Sequence, residues 1–285
     1  MQDYNETVQK AIHRIQPFHN VAKVTFWARE IGYTSISHDL VFGLPFQTLD
    51  SCIDTIEKTK SLNPDRLAYY SYAHVPWIKG SGQRGFDETN LPKDEEKRRL
   101  YETGKELLSE KGFYEIGMDH FALETDSMYK AFKDGGLHRN FMGYNAGKTQ
   151  LMIGLGVSSI SDSWYSFAQN EKTLEEYYQR IEAGELPVFR GHLLTDEDLL
   201  IRKHILNLMC RFETSWEPNG TNYFSELPEV LHSLTEMEQD GLISFGTNKI
   251  IVTEKGKPYV RNVCMAFDLR LKRKAPDTQL FSMVV

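Results

Sequence analysis

The alternation of short apolar runs with amphipathic stretches constrains this chain more than any other feature of its sequence. TSISHDLVFGLP (34–45) reads as a strand, residues 49 to 62 as a helix closed by Asn63-Pro64, and RLAYYSYAH (66–74) as an aromatic-rich strand leading into a long polar loop. A helix over about 94–111, stopped by Gly112, and the strand YEIGM (114–118) repeat the pattern. Upstream, Val8, Ile12 and Ile15 sit at helical spacing behind Asn5, with Pro17 ending the run. Val21, Val24, Trp27, Ala28 and Ile31 form a second stripe behind Asn20 that stops at Gly32. Such alternation is the signature of parallel α/β structure, whose ligand sites lie at the C-terminal ends of the strands.

The rhythm then breaks. Residues 123–150 show no period and carry Gly135-Gly136, Gly143 and Gly147, so a long functional loop is expected, followed by a last buried strand in QLMIGLGVSSIS (150–161) and a helix over about 173–183. From Thr195 the composition changes. TDEDLLIRKHILNLMCRF is a capped amphipathic helix, SELPEVLHSLTEMEQDG is another, and GLISFGTNKIIVTEKG is a hairpin turning at Gly246-Thr247-Asn248. The expected organisation is an α/β domain over 1–190 and a small helical, winged-helix-like domain over 191–285. Winged helices often bind DNA, but residues 195–285 hold 11 Lys and Arg against 13 Asp and Glu, so the balance argues against nucleic acid.

Composition narrows the classes further. With 285 residues and 40% hydrophobic content the chain can build a real core. Its 33 basic and 40 acidic residues leave a net charge of -7, which favours small-molecule partners over nucleic acid or anionic lipid. No run of 18 apolar residues occurs, so no membrane span is expected. Cys52, Cys210 and Cys264 are too widely spaced for a CxxC pair and too few for a disulfide scaffold, which points to a reducing compartment, the cytoplasm.

Four places can carry chemistry. Asp39 lies inside an apolar strand, where its carboxylate needs a donor or a polar cavity. Tyr72-Ala73-His74 ends a strand, with a small residue that permits close approach of a ligand. Asp119-His120, within GMDHFA, is a possible proton-transfer pair or simply a hydrogen-bonded one. His138, Arg139, Asn140 and Phe141 could clamp a carboxylate through the planar guanidinium. Gly154-Leu155-Gly156-Val157 is no dinucleotide fingerprint, because Ser159 replaces the last glycine. Nucleophile elbows, phosphate-cradling GK[ST] loops and HExxH are absent. The residues alone yield an α/β domain with a ligand cleft and no assigned catalytic acid or base.

The wording and order of VFGLPFQT after Asp39, LNPDRLAYYSYAHVP, GFYEIGMDHFA, LHRNFMGY, GLGVSSIS and KPYVRNVCMAFD resemble the oxygen-independent coproporphyrinogen III oxidases, radical S-adenosylmethionine enzymes of haem biosynthesis. The resemblance runs from Gln2 to the C-terminus. It implies the C-terminal half of a partial (β/α) barrel with a C-terminal helical domain, a [4Fe-4S] cluster, two S-adenosylmethionine molecules and an electron donor. It also implies oxidative decarboxylation of coproporphyrinogen III propionates to vinyl groups, giving protoporphyrinogen IX. By the same resemblance, Gln2, Arg14, Asp39 and Ala73 match contacts to the second S-adenosylmethionine, and Ile160 matches a contact to the cluster-bound one. Read without it, Arg14 is a solvated helix residue and Ile160 plain core. The family's CxxxCxxC cluster motif has no counterpart here, so the expectation is a C-terminal portion, inactive alone. Met142 and Asn145-Ala146 depart from the polar Gln and Thr of relatives. The alternative is a cluster-less paralogue that binds tetrapyrrole or S-adenosylmethionine.

Overall fold

The computed structural model describes residues 1–75, 86–218 and 220–274. The polar loop expected after the second strand and the last residues of the C-terminal segment lie outside them. The chain divides into two compact units after Lys130. The boundary read at residues 190 and 191 falls within a strand of the second unit.

In the first unit, α1 (Glu6–Ala11) and α2 (Phe18–Ile31) precede β1 (Ser37–Phe42), α3 (Leu49–Ser61), β2 (Arg66–Ser71), α4 (Asp94–Glu110), β3 (Phe113–Gly117) and β4 (His120–Leu123); α5 (Ser127–Lys133) follows. Each boundary has a local cause. Asn5 accepts from the backbone of Thr7 and Val8 at the start of α1, and Thr48 and Ser51 form a reciprocal capping box on α3. Gly32, at φ 102°, supplies the left-handed residue that ends α2. Helix α1 stops at Ala11, short of Pro17, because His13 turns to φ 52°.

The four strands pair in the order β1-β2-β4-β3. Only β1 and β2 are parallel, from Ser37 opposite Arg66 to Phe42 opposite Ser71. The expected third parallel strand is instead an antiparallel hairpin of β3 and β4, because Met118 and Asp119 both take positive φ, 27° and 65°, and turn the chain back at once. The architecture is mixed α/β, without a closed barrel among the described residues. Leu40, Phe42, Leu67, Tyr69 and Phe121 pack beneath α3 and α4 against Cys52, Ile56, Leu100 and Leu108. Each fully buried apolar side chain of this size contributes about 1.5–3 kcal/mol. At the centre the Tyr69 hydroxyl donates to Leu100 O over 2.7 Å and contacts Cys52 Sγ at 3.1 Å. Gly104 lets α4 rest on that ring, since a Cβ there would lie 2.4 Å from Tyr69 Cε1.

In the second unit, β5 (His138–Asn140) and β6 (Gly143–Asn145) form a small hairpin, so the stretch expected to be structureless carries α5, β5 and β6. The glycine-rich stretch expected as one buried strand is β7 (Leu151–Met152), a bend and β8 (Ile160–Ser163), with Leu151, Ile153 and Leu155 exposed. These join β9 (Ser166–Asn170) and, after α6 (Leu174–Glu182), β10 (Val188–Leu193) in an antiparallel sheet. Helix α7 (Asp196–Arg211) starts at a Thr195–Asp198 capping box. The second expected helix is two, α8 (Leu227–Ser233) and α9 (Thr235–Gln239). The hairpin of β12 (Ile243–Gly246) and β13 (Lys249–Val252) turns with Asn248 at φ 55°, and β11 (Glu213–Ser215) pairs with β13 to complete a wing-like sheet. Helices α10 (Val260–Phe267) and α11 (Leu269–Lys274) follow. His204 fixes this core: it bridges Thr214 Oγ1 and Asn222 O, each at 2.8 Å, and stacks on Phe267.

Candidate functional site

In the first unit the two faces of the sheet differ. His38, Leu40 and Phe42 are buried, whereas Ser37 and Asp39 are exposed. Asp39 therefore does not sit in an apolar interior: period-2 alternation turns it away from the core, and its carboxylate needs no internal donor. The register places Asp39, Ala68 and His120 in one row across β1, β2 and β4. His120 Nδ1 lies 2.8 Å from Met118 O and its Nε2 3.2 Å from Tyr70 Oη. The carbonyl can only accept, so Nδ1 carries the proton and Tyr70 donates to Nε2. Gln2 runs beside β1, its carbonyl accepting from Val41 N at 3.0 Å. Asp39 and Arg14 both act electrostatically on the Met1 amino group, so both border that corner.

A buried network holds this edge. Gln47 Oε1 accepts from Gly43 N at 2.7 Å, and its Nε2 donates to Asp3 Oδ2 at 2.7 Å and Val41 O. Burial pushes the Asp3 carboxyl above its ordinary value, opposed by donation from Asn5 N, Gln47 and Thr55. The network shapes the Gly43–Phe46 loop at the C-terminal end of β1. Ala73 is exposed just past β2. Beside it Lys97 Nζ donates to Tyr72 O at 3.1 Å, with its pKa lowered by burial. His74 meets Glu88 Oε1 at 3.0 Å and keeps a buried Nδ1 with no partner among the described residues. No sequence pattern singles out Lys97; only tertiary packing puts its ammonium at the strand ends.

In the second unit Arg139, Asn140 and Phe141 line a hollow of about 430 Å³ with Asp162, Phe167, His192 and Arg202. Arg139 lies over the Tyr144 ring at 4.7 Å, and its Nη1 is buried without a partner among the described residues. Tyr144 donates to Met209 O, and burial raises its phenol pKa. Arg202, unmarked by any motif, pairs with Asp162 at 2.9 Å, donates to Ser163 O and covers Trp164 and Phe167. Asp198 is held below the usual carboxylate range by Arg270, with further donors at Thr195 and His192. His138, by contrast, is buried beside Trp164, outside the lining, with its pKa lowered by burial. Ile160 opens β8, half-buried, opposite Gln169.

The described side chains do not fit an iron–sulfur cluster. No group of three or more His, Cys, Asp or Glu among them is placed to hold a metal. Burial pushes the Cys52 and Cys210 thiols to about 11 and that of Cys264 to about 12, far from the thiolate form that ligates iron. No helix among the described residues is long and apolar enough to cross a membrane.

No family model matches the chain. Individual relatives do. The chain is 38% identical to the oxygen-independent coproporphyrinogen III oxidase of Escherichia coli (strain K12) over 292 aligned residues, covering 100% of this chain and 63% of the relative. It is 38% identical to that of Helicobacter pylori (95% and 60%) and 36% to that of Synechocystis (100% and 62%). A solved structure of coproporphyrinogen III oxidase from Escherichia coli, described as a radical SAM enzyme, matches with a TM-score of 0.89 at 37% identity, over 95% of this chain and 63% of that one. The chain thus spans just under two thirds of the relatives it matches. Along its whole length in sequence, and in fold, the chain is similar to the oxygen-independent coproporphyrinogen III oxidases.

Proposed function

We propose that the chain supplies the substrate cleft and S-adenosylmethionine contacts of an oxygen-independent coproporphyrinogen III oxidase, which converts propionates to vinyl groups and yields protoporphyrinogen IX. The observation that carries this is 38% identity extending over 100% of the chain. Gln2, Arg14, Asp39 and Ala73 would hold one S-adenosylmethionine and Ile160 a second, while Arg139, Asn140 and Phe141, with His138 behind them, would engage substrate. The radical chemistry requires a [4Fe-4S] cluster and an electron donor. The cluster's ligands are not among the residues described, so the protein's part here is binding and orientation. Three unpaired, buried cysteines suit the reducing cytoplasm.

The test is anaerobic. The purified chain is titrated with S-adenosylmethionine and with coproporphyrin III, the stable oxidised form of the substrate, then incubated with coproporphyrinogen III, S-adenosylmethionine and a reductant. Binding of both ligands without vinyl product is expected; binding of neither sinks the proposal. A second reading is a cluster-less binding protein for the same ligands. Turnover by the chain in its natural cellular context would exclude that reading.

A further inference from the structure

We infer that Arg190 is a carboxylate anchor in a second hollow of the C-terminal unit, one that receives a propionate of a tetrapyrrole; this deepens the reading above and rests on it. Strand β10 pairs irregularly with β9. Val188 lies opposite Asn170 and Arg190 opposite Gln169, so one extra residue, Phe189, is accommodated between them. A bulge of this kind re-aims the side chains beyond it. Through it Arg190, Gln169 and Ile160 form one row across three strands, and His192, Phe167 and Asp162 form the next row on the same face.

This face floors a hollow of about 490 Å³, closed by Phe141 and by Arg270 and Lys274 of α11. Its lining holds three formal cations and no carboxylate. Arg270 is already neutralised by Asp198, through contacts of 2.6 and 2.8 Å. Arg190 is not. Its Nε donates to Gln169 Oε1 at 2.9 Å, which fixes the plane of the guanidinium, and it has no carboxylate partner among the described residues. A planar fork, oriented by a neutral neighbour and left without a counter-ion, is suited to bidentate carboxylate binding.

An isolated surface arginine would simply be solvated. Here the cation stands at the rim of an apolar floor of Ile160 and Phe167, which suits a ligand with a flat hydrophobic body and a carboxylate at its edge. The hollow shares Phe141, Phe167, His192 and Arg270 with the one bordered by Arg139, whose Nη1 has no partner among the described residues. Arg139 and Arg190 each border one of two adjoining hollows, which matches a ligand with more than one carboxylate. A tetrapyrrole with several propionates meets that description; the single amino-acid carboxylate of S-adenosylmethionine meets it less well.

The test is fluorescence titration of the purified chain with coproporphyrin III, its tetramethyl ester and S-adenosylmethionine, for the natural sequence, Arg190→Gln, Arg190→Lys and the control Arg261→Gln. Arg190 is exposed, so circular dichroism and the thermal midpoint should not change. Arg190→Gln is expected to weaken coproporphyrin III binding by about tenfold or more, Arg190→Lys to recover part of it, and Arg261→Gln to have no effect. The ester, lacking carboxylates, should bind the natural chain and Arg190→Gln alike. Unchanged coproporphyrin III affinity in Arg190→Gln overturns the inference and leaves the proposed function standing. So does a loss confined to S-adenosylmethionine. Failure of the natural chain to bind coproporphyrin III overturns both.

Discussion

Asp39 and His120 stand in the same cross-strand row, separated only by Ala68, with the Asp39 carboxylate on the exposed face of the sheet. A charge on that face is free to meet a ligand without being needed by the core. Asp39→Asn should therefore leave stability within about 0.5 kcal/mol of the natural chain. If Asp39 binds S-adenosylmethionine, the same change lowers its affinity by about tenfold, the worth of one hydrogen bond to a charged group. Isothermal titration decides; equal affinity would remove Asp39 from the site.

The contact between α4 and the Tyr69 ring leaves no room for another carbon. Gly104→Ala should cost about 1–3 kcal/mol, since the new Cβ must displace a ring whose hydroxyl is tied to Leu100 O. Urea unfolding followed by circular dichroism measures it, and a neutral outcome would mean that α4 shifts freely on the sheet.

Arg202 and Asp162 are an almost fully buried ion pair, at 14% and 6% side-chain exposure. Arg202→Met strands the carboxylate and should destabilise the unit by about 3–5 kcal/mol. Adding Asp162→Leu should restore much of that loss, because no unpaired charge remains. If the double variant unfolds as readily as the single one, packing of the guanidinium on Trp164 and Phe167 is the dominant contribution.

Burial lowers the pKa of His38 to about 4, and it also lowers those of His138 and His204. The unfolded chain then binds more protons than the folded one between each folded value and about 6.5. Stability must fall as pH drops through that window, and these groups add no slope above it. The His38 contribution is about 3 kcal/mol between pH 6.5 and 4. Asp3, shifted upward, opposes this only at the acid end, where the folded state holds its proton longer. Urea midpoints between pH 7.5 and 4.5 should decline, and His38→Gln should flatten the decline. An unaltered slope in that variant would place the effect elsewhere.

The three thiols should be inert. With raised pKa values and buried positions, Cys52, Cys210 and Cys264 are expected to react with a thiol reagent at pH 8 only after denaturation. Anaerobic incubation of the chain with ferrous iron and sulfide should give no iron–sulfur absorption. A stoichiometric cluster would show that these residues rearrange to bind one.

Local signals were readable where a residue acts on its own neighbours. Asn5, Gly32, Gly112 and Thr195 mark helix ends in the sequence and in the structure, because capping is satisfied within a turn of chain. The motifs running from VFGLPFQT to KPYVRNVCMAFD were enough to point to the family. Three things depended on partners distant in sequence. Strand direction was one: Met118 and Asp119 reverse β3 onto β4, which apolar alternation cannot reveal. The facing of Asp39 was another, since alternation says that two faces exist and not which one the helices cover. The third was charge pairing. Lys97, Arg190 and Arg202 are ordinary helix and strand cations in sequence, and only the folded chain separates the paired Arg202 from Arg190, which lacks a counter-ion among the described residues. Sequence carries what short-range sterics and hydrogen bonding decide, while burial, electrostatics and the lining of a cavity exist only once remote segments meet.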